Sequence, residues 1–257
     1  MRRFTDKVVV ITGGASGLGQ AAAQRIAREG GRLVLVDVDA AMLQSSAESL
    51  ECDDMLLCVA DVSRQEDVQA YVRDTVARHG RIDGFFNNAG VVGRQGEPTE
   101  SYGADEFRRV LSVNLEGVFF GMAEVLKVMR DQQSGSIVNT ASVGGMRGIG
   151  NQSGYAASKM GVIGLTNNAV AEYGQYGIQI NVIAPGAIMT AMLERGLRRL
   201  AGEDWRRMGD QFVASNPMRR AGAAAEVAAL VAFLLSGEAA YVNGVVIPVD
   251  GGQSSQY

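Results

Sequence analysis

The stretch Thr12-Gly13-Gly14-Ala15-Ser16-Gly17-Leu18-Gly19 most restricts what this chain can fold into. It follows a run from Lys7 to Ile11 that reads as a buried strand, and it turns straight into an Ala-rich helical stretch ending near Gly30. Glycines at such a turn let the backbone close tightly and approach a pyrophosphate, whose charge the N-terminus of the next helix favours. The spacing is Gly-x-x-x-Gly-x-Gly rather than the commoner Gly-x-Gly-x-x-Gly. A glycine-rich helix start is commonplace alone, but between a strand and a helix it points to a nucleotide site.

The same alternation continues. Further β-rich runs cover Arg32–Val36, Met55–Ala60, Ile82–Phe86, Ile137–Ala141, Ile178–Ala184 and Val245–Val249, separated by amphipathic stretches. Seven strands alternating with helices predict one doubly wound α/β domain over residues 1–257, a seven-stranded parallel sheet flanked by helices on both faces. With 257 residues, 47% of them hydrophobic, the chain can bury a large core. A net charge of −4 argues against a nucleic-acid or anionic-membrane surface. No apolar run approaches a membrane span, and Met1 to Asp6 is not followed by an export segment, so a cytoplasmic location is expected.

Cys52 and Cys58 lack Cys-x-x-Cys spacing, which suits a reduced compartment, with Cys58 as buried packing. His79 is the single histidine, so a multi-His metal site and a Ser-His-Asp triad are excluded, and no metal is expected. It precedes Gly80 at a predicted helix end, where a cation suits the C-terminal dipole. Ser63-Arg64-Gln65-Glu66 reads as a capping box opening that helix.

Asp37 stands at the end of the second strand, about 20 residues past the glycine turn, where a carboxylate accepts both ribose hydroxyls and repels the 2′-phosphate of NADP. The cofactor read from this is NAD. Asp39 fits the plainer role of a turn aspartate. Asp61-Val62 ends the third strand, where it could hold an adenine edge, and Asn88-Ala89-Gly90 leaves the fourth with small residues that admit a ligand. From Phe107 to Met129 apolar residues recur at helical spacing, with Asn114 on the apolar side. A buried amide needs partners, and either a structural hydrogen bond or a helix irregularity holding a water would supply them.

Tyr155 and Lys159 are four residues apart, so a helix stacks them on one face. An ammonium beside a phenol lowers the tyrosine pKa from about 10 towards working pH. Ser142 follows a buried strand, and its hydroxyl, facing that pair, could bind an oxygen while Tyr155 moves a proton. An isolated Tyr-x-x-x-Lys is more often a plain helix with a solvated lysine.

Thr12-Gly13-x-x-x-Gly17-x-Gly19, Asn88-Ala89-Gly90, Asn114, Ser142, Tyr155-x-x-x-Lys159 and Pro185-Gly186 together resemble the short-chain dehydrogenase/reductase family over essentially the whole chain. Within it, Gly84 to Asn88, Gly148 to Tyr155 and Asp250 to Ser254 look closest to an NAD-dependent reductase of a substituted cyclohexanedione. The resemblance implies a Rossmann-type fold and a ketone/secondary-alcohol oxidoreductase without metal or covalent intermediate. Tyr155 would be the acid and base, Lys159 would lower its pKa and bond the nicotinamide ribose, Ser142 would polarise the carbonyl, and Asn114 would anchor a water. Cofactor contacts would come from Gly13, Ser16, Gly17, Leu18, Gly19, Asp37, Val38, Asp61, Val62, Asn88, Ala89, Gly90, Tyr155 and Lys159. Further contacts would come from Pro185, Gly186, Ile188, Thr190 and Met192, although Thr190 could merely cap the next helix.

Ser142, Val143, Gly144, Tyr155 and Met192 would face a small-molecule ketone or alcohol, with Val92 and Met146 adding apolar wall. Residues from about 188 to 216 would form a substrate lid, with Met192, Leu193, Met208, Phe212 and Val213 inward and Arg195, Arg198, Arg199, Arg206 and Arg207 facing water. Small residues at Ala156, Ala157, Gly161 and Gly164 give flat helices like those with which the family builds homotetramers, and Asp250 to Tyr257 would lie at a subunit contact. Alternatives are a 3-oxoacyl-carrier-protein reductase, a sugar or steroid alcohol dehydrogenase, and a dinucleotide-sensing regulatory protein without catalysis.

Overall fold

Val8, Val9, Val10 and Ile11 are all fully buried, and their side chains alternate between two different cores. That is the condition of a central parallel strand covered on both faces, and it explains the unbroken apolar run. The computed structural model describes residues 2–52, 54–214 and 216–255. Its order is β1 (Val8–Thr12), α1 (Gly17–Arg28), β2 (Arg32–Asp37), α2 (Ala40–Glu48), β3 (Met55–Val59), α3 (Gln65–His79) and β4 (Gly84–Asn87). There follow α4 (Ala104–Leu111), α5 (Gly117–Gln132), β5 (Gly135–Thr140), α6 (Ser153–Tyr173) and β6 (Ile178–Pro185). Last come β7 (Ile188–Met189), α7 (Ala191–Ala201), α8 (Trp205–Ala214), β8 (Gly222–Ala223), α9 (Ala224–Leu234) and β9 (Val246–Val249).

Seven strands form one parallel sheet in the order β3-β2-β1-β4-β5-β6-β9. The order reverses between β1 and β4, and a crevice opens at the carboxyl ends of the strands there. On one face Val9, Ile11, Leu33, Leu35 and Phe86 pack against α1 and α9; on the other Val8, Val10, Val34, Val36 and Phe85 pack beneath α3 and α5. A short pair β7-β8, absent from the sequence reading, ties the start of the lid segment to the start of α9.

Three local expectations are corrected. The helix predicted over Phe107–Met129 begins at Ala104 and is broken by a π-helical turn at Ser112–Glu116, with Asn114 inside it. The capping box does not form: Ser63 donates its hydroxyl to Asp61 at 2.7 Å, Glu66 takes bonds from Arg64, and α3 starts without a side-chain cap. Asp67, rather than Glu66, reaches back to accept from the Asp61 amide at 3.0 Å. His79 is not a surface cation. Its side chain is 2% exposed, and burial lowers its pKa more than Asp54, 3.7 Å away, raises it. Gly80 does terminate α3 in the left-handed conformation. Cys52 and Cys58 form no disulfide, and burial pushes the Cys58 thiol up to about 11. Among the described residues no helix is long and apolar enough to cross a membrane, and no cluster of potential metal ligands occurs.

Candidate active site

The β1–α1 turn is built around two glycines. A Cβ on Gly19 would stand 2.1 Å from the Gly13 carbonyl oxygen, so no other residue lets α1 start this close to β1. Gly13 has φ +66, and a Cβ there would meet the Asn88 amide at 2.9 Å. Thr12 ties this turn to the β4 loop. Its hydroxyl accepts from the amides of Asn88 and Ala89 at 2.9 and 3.1 Å, while Asn88 Nδ2 donates to the Thr12 carbonyl at 3.0 Å. Asp37 at the end of β2 accepts from the Ala15 amide at 3.1 Å and from Asp39 at 3.2 Å, which fixes its carboxylate beside the turn. Asp39 caps α2 by accepting from Met42, the plainer role read for it.

These groups and the catalytic candidates open onto one cavity of about 570 Å³. Every residue expected at the cofactor lines it except Gly19, which lies in the turn behind it. Of the expected substrate residues, Ser142, Val143, Tyr155 and Met192 line it, as does Val92. Gly144 does not, but its amide donates to Ser142 Oγ at 3.1 Å and so orients that hydroxyl. Met146 lies outside the wall, 38% exposed. Thr190 lines the cavity and also caps α7, accepting from Leu193 at 3.4 Å.

Ser142 begins the turn after β5, buried, with its Oγ 3.5 Å from the Pro185 carbonyl oxygen. Tyr155 and Lys159 lie on α6, and both line the cavity. Lys159 is 3% exposed, donates to the Thr140 carbonyl at 2.8 Å, and is pulled down to about 8 by burial. The expected depression of the Tyr155 pKa by Lys159 is not found. Burial raises the phenol's pKa, and the opposing influence is its hydrogen bond with Ser142. The physical reason is placement: Lys159 is directed at the strand carbonyl and passes 5.8 Å from the Tyr155 ring centre.

Asn114 is fully buried and does not line the cavity. Its Oδ1 accepts from the Val91 amide and its Nδ2 donates to the Val91 carbonyl, both at 2.8 Å, with a further bond to Ser158 at 3.2 Å. The π-turn thus delivers an amide that pins the loop in front of Lys159, satisfying both groups of one residue.

The lid segment holds α7 and α8, with Leu193, Met208 and Phe212 in the cavity wall and Val213 outside it; Ser215 lies outside the described residues. Its five arginines are all exposed, as expected. Arg195 lines the cavity, Arg199 donates to the Gly93 carbonyl at 3.4 Å, and Arg198 and Arg206 stack on Trp205 at 4.4 and 4.7 Å. Arg207 pairs with Asp204. Gln95, Gln152 and Gln253 also line the cavity, and no periodicity marks them in the sequence.

A family model described as enoyl-(acyl carrier protein) reductase matches residues 13–254. Levodione reductase from Leifsonia aquatica is 58% identical, over 99% of this chain and 97% of that protein. A crystal structure of levodione reductase matches 99% of this chain and all of its own with a TM-score of 0.97 and 57% identity. An NAD+-bound xylitol dehydrogenase, 33% identical, matches 97% of this chain and all of its own with a TM-score of 0.90. With the glycine turn, Ser142, Tyr155 and Lys159 around one cavity, the chain belongs to the short-chain dehydrogenase/reductase family, as an oxidoreductase that interconverts ketones and alcohols.

Proposed function

We propose that this protein is an NAD(H)-dependent reductase of a small, cyclic, largely apolar ketone or diketone, and a dehydrogenase of the matching alcohol. One observation carries the reading. The hydrogen-bonded hydroxyls of Ser142 and Tyr155 face a cavity whose wall also carries the apolar side chains of Val92, Ile149, Leu193, Met208 and Phe212. Such a wall favours a compact apolar ring over a sugar or a charged acid. The likeness to levodione reductase supports the same class.

When bound, NAD(H) would supply or accept the hydride. The chain's own residues do the rest. Ser142 donates to the substrate oxygen and stabilises the charge that develops there. Tyr155 delivers its phenolic proton to that oxygen in reduction and takes it back in oxidation. Lys159 holds the cofactor ribose and, charged, eases loss of the phenolic proton. Asn114 keeps the Val91 loop in register and carries a water that links Lys159 to solvent. Asp37 selects NAD by receiving the ribose hydroxyls and repelling a 2′-phosphate. The NAD+-bound xylitol dehydrogenase is consistent with that choice. The domain acts as one unit, residues 188–216 close over the substrate, and Phe119 and Met160, 49% and 52% exposed on α5 and α6, are covered in a homotetramer.

Carrier-protein substrates fit less well. Asp37 argues against the NADP that such reductases usually prefer, and Arg130, near the end of α5, pairs with Asp131 at 3.3 Å. A purely sensing role leaves Tyr155 and Lys159 without purpose. The test follows NADH absorbance against cyclic ketones and diketones, acyl thioesters and ketoses. The reading requires turnover of the cyclic compounds with NADH preferred to NADPH; a preference for thioesters with NADPH refutes it.

A further inference from the structure

The C-terminal turn is fixed in its backbone and loose in one side chain. Asp250 holds it, accepting from the Gly252 amide at 2.9 Å and the Ser254 amide at 2.6 Å. Asn216, at the far end of the lid segment, donates to the Asp250 carbonyl at 2.9 Å. Within this frame Gln253 is 9% exposed, lines the cavity, and its Oε1 is buried without a hydrogen-bond partner. The oxygen rests against Gly186, 2.8 Å from where a Cβ on that residue would stand.

A buried amide oxygen without a partner is costly, and a native structure keeps one where a ligand or a functional step uses it. Because Oε1 makes no bond where it sits, turning the terminal amide forfeits nothing. The space that its side chain borders is the cavity. An amide can present either its oxygen, to a hydroxyl, or its NH2, to a carbonyl. It is uncharged, so it suits a neutral oxygen.

Position narrows the partner. Ser142 follows β5, Gly186 follows β6 and Gln253 follows β9, and these strands are neighbours in that order. Ser142 Oγ lies 3.5 Å from the Pro185 carbonyl and Gln253 Oε1 lies against the next residue, Gly186, so hydroxyl and amide border one stretch of cavity wall. A ring whose reacting oxygen meets Ser142 can present a second oxygen to that amide.

Resting on the ketone/alcohol reading above, we infer that Gln253 is a specificity-determining residue that binds a second, unreacting oxygen on the substrate ring. The substrate class is then a cyclic dione, hydroxyketone or diol rather than a simple ketone. The amide turns to donate to a carbonyl or to accept from a hydroxyl.

The test uses the intact enzyme and two matched pairs: cyclohexanone with cyclohexane-1,4-dione under NADH, and cyclohexanol with cyclohexane-1,4-diol under NAD+. Comparing variant with wild type on each compound cancels intrinsic reactivity. Gln253→Leu is expected to lose about tenfold more kcat/KM on the dione than on cyclohexanone, and likewise on the diol against cyclohexanol. Gln253→Glu, an acceptor only, is expected to keep the preference for the diol and lose that for the dione. A merely structural role lowers both members of each pair alike, and that result overturns the inference. If the wild type turns over none of the four compounds, the ketone/alcohol reading of the substrate has failed and this inference falls with it.

Discussion

Lys159 Nζ donates to the Thr140 carbonyl at 2.8 Å and stands 5.8 Å from the centre of the Tyr155 ring. The lysine is therefore anchored to the sheet rather than to the phenol. The phenol's pKa is raised by burial, with Ser142 as the opposing influence.

Tyr155→Phe removes the proposed proton donor and leaves the glycine turn and Asp37 untouched. Turnover is expected to fall by about 10²–10⁴-fold, while NADH binding, followed by fluorescence titration, stays close to wild type. Substantial remaining turnover would assign the acid elsewhere.

Lys159→Met is expected to abolish most activity and yet stabilise the protein at pH 7. A lysine held at about 8, against 10.5 in the unfolded chain, binds fewer protons when folded between those values. Its charge therefore destabilises the fold most below pH 8, and that penalty fades as pH rises towards 10.5. Allowing for the lost bond to Thr140, the gain at pH 7 is about 2 kcal/mol, shrinking by pH 10. Urea unfolding at both pH values measures it; a less stable variant at pH 7 contradicts the argument.

Asp37→Ser removes the carboxylate proposed to repel a 2′-phosphate. The ratio of NADH to NADPH efficiency is expected to fall by roughly tenfold to a hundredfold, chiefly through a lower KM for NADPH. An unchanged ratio places the selection on another residue.

Asn114→Ala leaves the Val91 amide and carbonyl without partners. A loss of about 2–4 kcal/mol in unfolding free energy is expected, with lower turnover as the loop before Lys159 loosens. Equal stability of variant and wild type would show that the π-turn amide is not what pins Val91.

Glu29 joins the N-terminal segment to α1 through Arg3 and Arg25. The Arg3 guanidinium, first among the causes, brings its carboxyl down to about 2. The stabilisation is therefore complete above the unfolded value near 4.5 and is lost as pH falls from there towards 2. Its size is on the order of 3 kcal/mol. Glu29→Gln is expected to unfold more readily at pH 7 and to differ little from wild type near pH 2, as thermal melts across that range would record.

Much of this protein follows from residues that act on their immediate neighbours in the chain. Val8 to Ile11 can only be a strand covered on both sides, Gly19 can only be glycine against the Gly13 carbonyl, and Tyr155 and Lys159 share a helix face by spacing alone. Such features depend on backbone sterics and periodicity, and they are written locally. What the folded chain decided depends on groups distant in sequence. His79 is neutral because it is buried by the fold, and Ser63 turns to Asp61 instead of capping α3. Arg195 borders the cavity from an exposed position, and Gln253 becomes a wall residue only because β9 lies beside β6. Burial and hydrogen-bond partnership belong to the three-dimensional neighbourhood, so no pattern along the chain records them.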